Sequence, residues 1–258
     1  MKSLWTIITH AVLAALVLTL AATLAAGAAL ACEAPAPVCA WTERVFGIPT
    51  PTMIASGTML ADGLIITNRH VVEDHAAVLT RDHTGGLAEA TPVPHTVPVD
   101  LAMLRLSGTA GEIDEGPDMA EGLPQTVYIV GFDQGRNAPR VYAPSSFAMY
   151  PRQDAAPQAR IHTNARALPG NSGGAVVDAE GRLVGILASG DGKISEVISA
   201  THIRTVIASA SPDHRQSFLS TGGAIRRCAD ALYDAAGITR DPPEALISVI
   251  ETECAASG

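Results

Sequence analysis

The sequence predicts an all-β body, of sandwich or barrel type, with helical segments at its two ends. Three observations carry this. Short apolar runs punctuated by Gly, Pro and Asp recur from about residue 45 to Ala200. Near the N-terminus one long apolar stretch runs instead from Ala11 to Ala31, and apolar residues return at helical spacing after about residue 211.

Within the body, Gly63-Leu64-Ile65-Ile66-Thr67, Leu101-Ala102-Met103-Leu104-Arg105-Leu106, Thr126-Val127-Tyr128-Ile129-Val130 and Leu183-Val184-Gly185-Ile186-Leu187 have strand length and β-rich composition. The turn Asp178-Ala179-Glu180-Gly181 between two apolar runs reads as a hairpin. Ala110 to Leu123, rich in Gly, Glu and Asp, reads as the connection between two halves. Many short strands joined by turns favour stacked or closed antiparallel sheets.

At the N-terminus, Met1-Lys2 and the apolar run from Ala11 to Ala31 have the order of an export signal, with Ala29-Leu30-Ala31 as a cleavage site. The run is also long enough to span a bilayer uncleaved, which would make 1–31 an anchor. Cys32 after the site would allow lipid attachment, although Ala29 stands where such a box usually has Leu. Residues 32–44, beginning with the Pro/Ala-rich Glu33 to Val38, read as a linker. Export is therefore expected, to the periplasm or beyond, with membrane contact only through an uncleaved N-terminal segment.

In the segment 211–258, Ile225, Cys228, Ala229, Leu232 and Tyr233 share one helical face and Gly237 offers a stop. Asp241-Pro242-Pro243-Glu244 then has an N-cap acid, a proline at the first helical position and a capping-box Glu, and Leu246, Val249, Ile250 and Cys254 continue one face. A helical hairpin is the expectation. The four cysteines Cys32, Cys39, Cys228 and Cys254 suit disulfides in an oxidising compartment. Three pairings exist; the local one joins Cys32 to Cys39 and Cys228 to Cys254. The pairs lack CxxC spacing, so a metal site is not expected.

Composition narrows the partners. With 258 residues and 47% apolar content the chain can bury a core, and a net charge of −9 without a Lys/Arg cluster argues against nucleic acid. The acidity fits the solubility of an exported protein.

Three segments carry chemistry. Leu168-Pro169-Gly170-Asn171-Ser172-Gly173-Gly174 sets a serine among glycines, where a tight turn exposes its hydroxyl and the N–H groups of Gly170 and Ser172 can approach a substrate carbonyl. Ile65-Ile66-Thr67-Asn68-Arg69-His70-Val71-Val72 ends an apolar run on a histidine, as a base at a barrel rim would be placed. Val99-Asp100-Leu101 puts an acid at the head of a strand, where it can orient an imidazole. His75, His83, His95, His162, His202 and His214 lack comparable context and read as surface or packing residues.

Together with Ser56-Gly57-Thr58, these segments resemble the trypsin-like serine peptidases, of the bacterial HtrA/Deg type, over roughly Ala55 to Ile207. The order His, Asp, Ser fits that family and not the α/β-hydrolase or subtilisin orders. The resemblance implies two six-stranded antiparallel β-barrels over 45–210, with His70 and Asp100 on the first and Ser172 on the second. It implies a serine endopeptidase acting on proteins or peptides through an acyl-enzyme, with Gly170 and Ser172 as oxyanion donors and with no metal or cofactor. The chain departs from many HtrA relatives, since no PDZ-like segment is expected after the barrels.

In trypsin-like enzymes the pocket base lies about six residues before the nucleophile, here Arg166. An acidic pocket for Lys or Arg is therefore not expected. Arg166 would face solvent or favour an acidic side chain, and Ala167, Leu168 and Val197-Ile198-Ser199 would wall a pocket for small or aliphatic groups. Competing readings are a catalytically silent binding or chaperone-like module, an esterase with the same triad, and a structural envelope protein.

Overall fold

The computed structural model of the protein describes residues 32–50, 54–72, 75–109, 116–122, 124–132, 138–149, 161–190, 194–211 and 213. The export segment lies outside them, as does the helical hairpin from Ile225 onward with Cys228 and Cys254. Among the described residues no helix is long and apolar enough to cross a membrane. Cys32 and Cys39 are both disulfide-bonded.

The all-β expectation is met. Six strands, β1 (Val45–Pro49), β2 (Ile54–Ala61), β3 (Leu64–Thr67), β4 (Val78–Arg81), β5 (Leu87–Val93) and β6 (Ala102–Leu106), pair antiparallel in the order β1-β2-β3-β6-β5-β4. Pairing of Gly47 with Arg81 closes the barrel. Closure removes the exposed strand edges that an open sheet would present. At the tip of the β4–β5 hairpin, Asp82 accepts the Thr84 hydroxyl at 2.7 Å and the Gly86 N–H at 2.8 Å, and the Thr84 hydroxyl above all holds its carboxyl below the usual range.

The second half contains β7 (Val127–Gly131), β8 (Arg140–Val141), β9 (Phe147–Met149), β10 (Ile161–Thr163), β11 (Ala175–Asp178), β12 (Leu183–Gly190) and β13 (Ser195–Ser199), ordered β8-β7-β11-β12-β13-β10-β9. Where the resemblance implies six strands, seven pair here, two of them only two or three residues long, and the ladder does not close among the described residues. The predicted hairpin turn lies between β11 and β12. There Arg182 donates through its backbone N–H and its Nε to the buried Asp178 carboxylate, at 2.8 and 2.7 Å.

Three clusters explain why the strands read as continuous apolar runs rather than as alternating ones. Phe46, Ile48, Ile65, Ala102 and Leu104 fill the barrel, whereas Val127, Ile129, Val176, Val184 and Val197 pack on one face of the second sheet. Their sequence neighbours Ile66, Met103, Val130, Val177 and Ile198 meet in a third cluster shared by both halves. Period-two geometry sends successive side chains to opposite faces, and here both faces are dry.

Four helical elements were not read from the sequence. The expected linker 32–44 contains a short helix α1 (Ala36–Cys39) and a 3₁₀ turn (Ala40–Glu43). Val38 and Trp41 are buried in the shared core, and Trp41 Nε1 donates to the Gly181 carbonyl at 2.8 Å. A turn α2 (Arg69–Val72) follows β3, and α3 (Ala200–Ser209) follows β13 and sends Ile203 and Val206 into the same core.

Candidate active site

The first half of the site is built at the end of β3. Val71 and Val72 of α2 drop into the barrel core, which leaves His70 at the rim with its side chain 26% exposed. Asp100 sits just before β6, its side chain 3% exposed. His70 Nδ1 lies 2.9 Å from Asp100 Oδ2 and 3.2 Å from Oδ1, and the His70 backbone N–H donates to Oδ1 at 2.9 Å. A carboxylate only accepts, so the neutral ring carries its proton on Nδ1 and keeps Nε2 as an acceptor.

Two further side chains hold the Asp100 segment, and sequence reading passed over both. Asn68 Nδ2 donates to the Asp100 carbonyl at 3.1 Å, and the buried His95 places Nε2 3.0 Å from the Leu101 carbonyl. His95 lies only six residues before Leu101, but nothing in its local sequence marks the contact.

Ser172 lies in the loop between β10 and β11. Its Oγ donates to the carbonyl of Ala188 on β12 at 2.9 Å, rather than to His70. Strand β2 of the barrel meets the same loop, as the Ser56 N–H donates to the Ser172 carbonyl at 2.7 Å. The structure thus joins His70 and Asp100 by direct hydrogen bonds, and it ties Ser172 to β2 and β12.

Of the expected wall residues, Ala167 and Leu168 pack against the cluster containing Val197 and Leu187. Ile198 points the other way, into the shared core, and Ser199 stands at the start of α3. Arg166 is exposed, between the buried Ala165 and the half-buried Ala167. Ser195 binds this wall, because its Oγ donates to the Ala165 carbonyl at 2.7 Å and accepts the Ala167 N–H at 3.1 Å. A Cβ on Gly190 would come within 2.9 Å of both Ala167 Cβ and Ser195 Oγ, so the two walls approach closely.

His162 is buried on β10, opposite Glu196 of β13, with Nε2 3.4 Å from Oε1. Ser189 Oγ donates to the other Glu196 oxygen, which links this pair to the strand that carries Ala188. Among the described residues no group of three or more His, Cys, Asp or Glu gathers as a metal site would require.

Residues 55–186 match the family described as the trypsin-like peptidase domain, a span that contains His70, Asp100 and Ser172. The chain is 25% identical over 150 residues to serine endoprotease DegS of Haemophilus influenzae, covering 57% of this chain and 44% of that protein. It is 27% identical over 177 residues to a probable periplasmic serine endoprotease, DegP-like, of Chlamydia pneumoniae, covering 58% of this chain and 34% of the other. The chain therefore spans less than half the length of these relatives. Among solved structures it is similar to the active form of the Rv3671c protease from M. tuberculosis, with a TM-score of 0.56 and 19% identity over 68% of this chain and 84% of that one, a likeness of fold. With more than half its length inside the matched span, this chain belongs to the trypsin-like peptidase domain family.

Proposed function

We propose that the protein is an exported serine endopeptidase in which Ser172 attacks, His70 acts as base and Asp100 orients His70. The observation that carries this reading is the doubly bonded His70–Asp100 pair, with Nδ1 2.9 Å from Oδ2 and the backbone N–H on Oδ1, inside the matched family span. In the proposed cycle the Ser172 hydroxyl leaves Ala188, turns to His70 Nε2 and adds to the scissile carbonyl. The proton passes to Nε2, and Asp100 supports the imidazolium. The N–H groups of Gly170 and Ser172 take the negative charge on the tetrahedral oxygen. Collapse breaks the C–N bond as Nε2 returns the proton to the leaving amine, and water then hydrolyses the acyl-enzyme.

Export is supported by the charged start and apolar run of the first 31 residues, and by the periplasmic description of the Chlamydia pneumoniae relative. A preference for small or aliphatic side chains is supported by the apolar residues Ala167, Leu168 and Val197 and by the close approach of Ala167 to Gly190. The Ser172–Ala188 bond favours one second reading, a silent binding module whose serine never turns to His70.

Casein and a simple nitrophenyl ester, each incubated with folded wild type and with Ser172→Ala, test this. The peptidase reading expects wild type to cleave casein and the variant to be inactive on both. Cleavage of the ester alone would establish an esterase, and no turnover by folded wild type would establish the silent module.

A further inference from the structure

The motif Ser56-Gly57-Thr58 has no part in proton transfer, yet Ser56, Thr58 and Asn171 are all fully buried polar residues beside the nucleophile loop. Their hydrogen bonds hold the backbone of this loop at several points, from Leu168 to Gly173. Ser56 Oγ donates to the Gly170 carbonyl at 2.7 Å and accepts the Phe132 N–H at 2.9 Å, so that hydroxyl is used as donor and as acceptor. The other end of the same peptide, the Asn171 N–H, donates to the Leu168 carbonyl at 3.0 Å.

The Asn171 side chain holds the loop from the opposite side. Its Oδ1 accepts the Leu168 N–H at 2.7 Å, and its Nδ2 donates to the Phe132 carbonyl and, at 2.8 Å, to the Tyr142 hydroxyl. Phe132 is thereby bonded to Ser56 through its N–H and to Asn171 through its carbonyl. One residue after β7 joins the barrel's strand to the loop of the second sheet.

A trans peptide is planar, so fixing its carbonyl and its N–H fixes the plane. With the Gly170–Asn171 plane held, only the ψ and φ of Gly170 itself separate it from the Gly170 N–H. On the other side the Asn171 carbonyl accepts the Gly174 N–H at 2.8 Å, which restrains the Asn171–Ser172 plane that carries the Ser172 N–H. These two N–H groups are the proposed oxyanion donors. Thr58 Oγ1 on the Gly173 carbonyl, at 2.9 Å, and Thr67 Oγ1 on the Ser56 carbonyl, at 2.7 Å, tie the next residues down.

We propose that Ser56 and Asn171, the latter backed by Tyr142, are positioning residues that hold the Gly170 and Ser172 N–H groups preformed for the oxyanion. The inference rests on the peptidase reading and assigns a task to side chains that touch no reacting atom. Every partner in the clamp is neutral. Its worth falls in the transition state, because donors aimed in advance at the developing charge need no reorganisation as that charge appears.

The test uses the full chain with Ser56→Ala, which removes one hydroxyl, and Tyr142→Phe, which removes one hydroxyl at the far end and leaves the packing intact. For each, kcat and KM on a peptide substrate are compared with inhibition by a peptide boronate, whose tetrahedral adduct places an oxygen among the proposed donors. Ser56→Ala is expected to lower kcat and boronate affinity together by about 10- to 100-fold, with KM within about twofold of wild type. Tyr142→Phe is expected to lower both by a smaller common factor and carries the test alone if Ser56→Ala does not fold. The clamp is overturned if folded variants keep wild-type kcat and boronate affinity, or if lost rate appears as raised KM with boronate affinity intact. Wild type that neither turns over peptide nor binds the boronate overturns the peptidase reading itself, and the clamp with it.

Discussion

The Ser172 hydroxyl is held on the carbonyl of Ala188 at 2.9 Å, while His70 is held on Asp100 by two hydrogen bonds. Turning Ser172 toward His70 exchanges one hydrogen bond for another and takes this donor from the buried Ala188 carbonyl on β12, at a cost of about 1 to 3 kcal/mol. The proposed base is thus already oriented, while the proposed nucleophile must leave Ala188 to meet it.

That orientation depends on the acid. Asp100→Asn would present an amide where Nδ1–H needs an acceptor, and the ring would settle in the wrong tautomer. In the peptidase reading kcat falls on the order of 10⁴-fold, with little change in KM or in thermal midpoint. Steady-state kinetics with a melting curve on the same preparation checks both halves of this prediction.

Gly173 has a backbone φ of +87°, and a Cβ there would overlap the Ser56 carbonyl oxygen and the Thr67 hydroxyl. Neither neighbour can yield, since both belong to buried strand backbone and its bonds. Gly173→Ala is expected to destabilise the fold by roughly 4 kcal/mol or more. Denaturant unfolding of the variant beside wild type measures it.

Arg166 is solvent-exposed although it occupies the position of the pocket base in the family pattern. An exposed guanidinium does not sort substrates from inside a pocket. Arg166→Ala is expected to leave the cleavage profile of a peptide library unchanged, within about twofold at each preferred side chain. Loss of cleavage beside acidic residues would show that Arg166 does select them.

Burial pushes the His202 imidazole on α3 below its ordinary value of 6.5. The unfolded chain then binds this proton more readily than the folded one, so stability rises with pH across the window between the depressed value and 6.5. Acidifying from neutral pH is expected to lower the thermal midpoint below about pH 6.5, and the loss levels off once the folded-state value is passed. His202→Gln removes that part of the slope, which melting curves of the two proteins across pH 5 to 8 would show.

Much of this site is legible in the chain because its parts are local. His70 follows directly on the end of β3, Asp100 heads β6, and Ser172 lies in a glycine-rich loop, each recognisable within a few residues. The supporting side chains are not local. Ser56 reaches Gly170 only because barrel and sheet pack together, and Asn171 reaches Tyr142 only because the second half folds. The same reason hid α1 and the 3₁₀ turn, since Pro35, Pro37 and neighbouring alanines read as a linker until Val38 and Trp41 find the shared core. Strand identity was readable where apolar runs were continuous; which face each side chain took was not, because both faces of β7, β11 and β13 are buried.

Labelling of the folded protein with a fluorophosphonate probe, followed by peptide mapping of the adduct, tests the central claim most directly. The account predicts one phosphonyl group, on Ser172, with labelling strongly slowed by His70→Ala and abolished by Ser172→Ala. Folded wild type that takes up no probe, or that carries it on another residue, would contradict it.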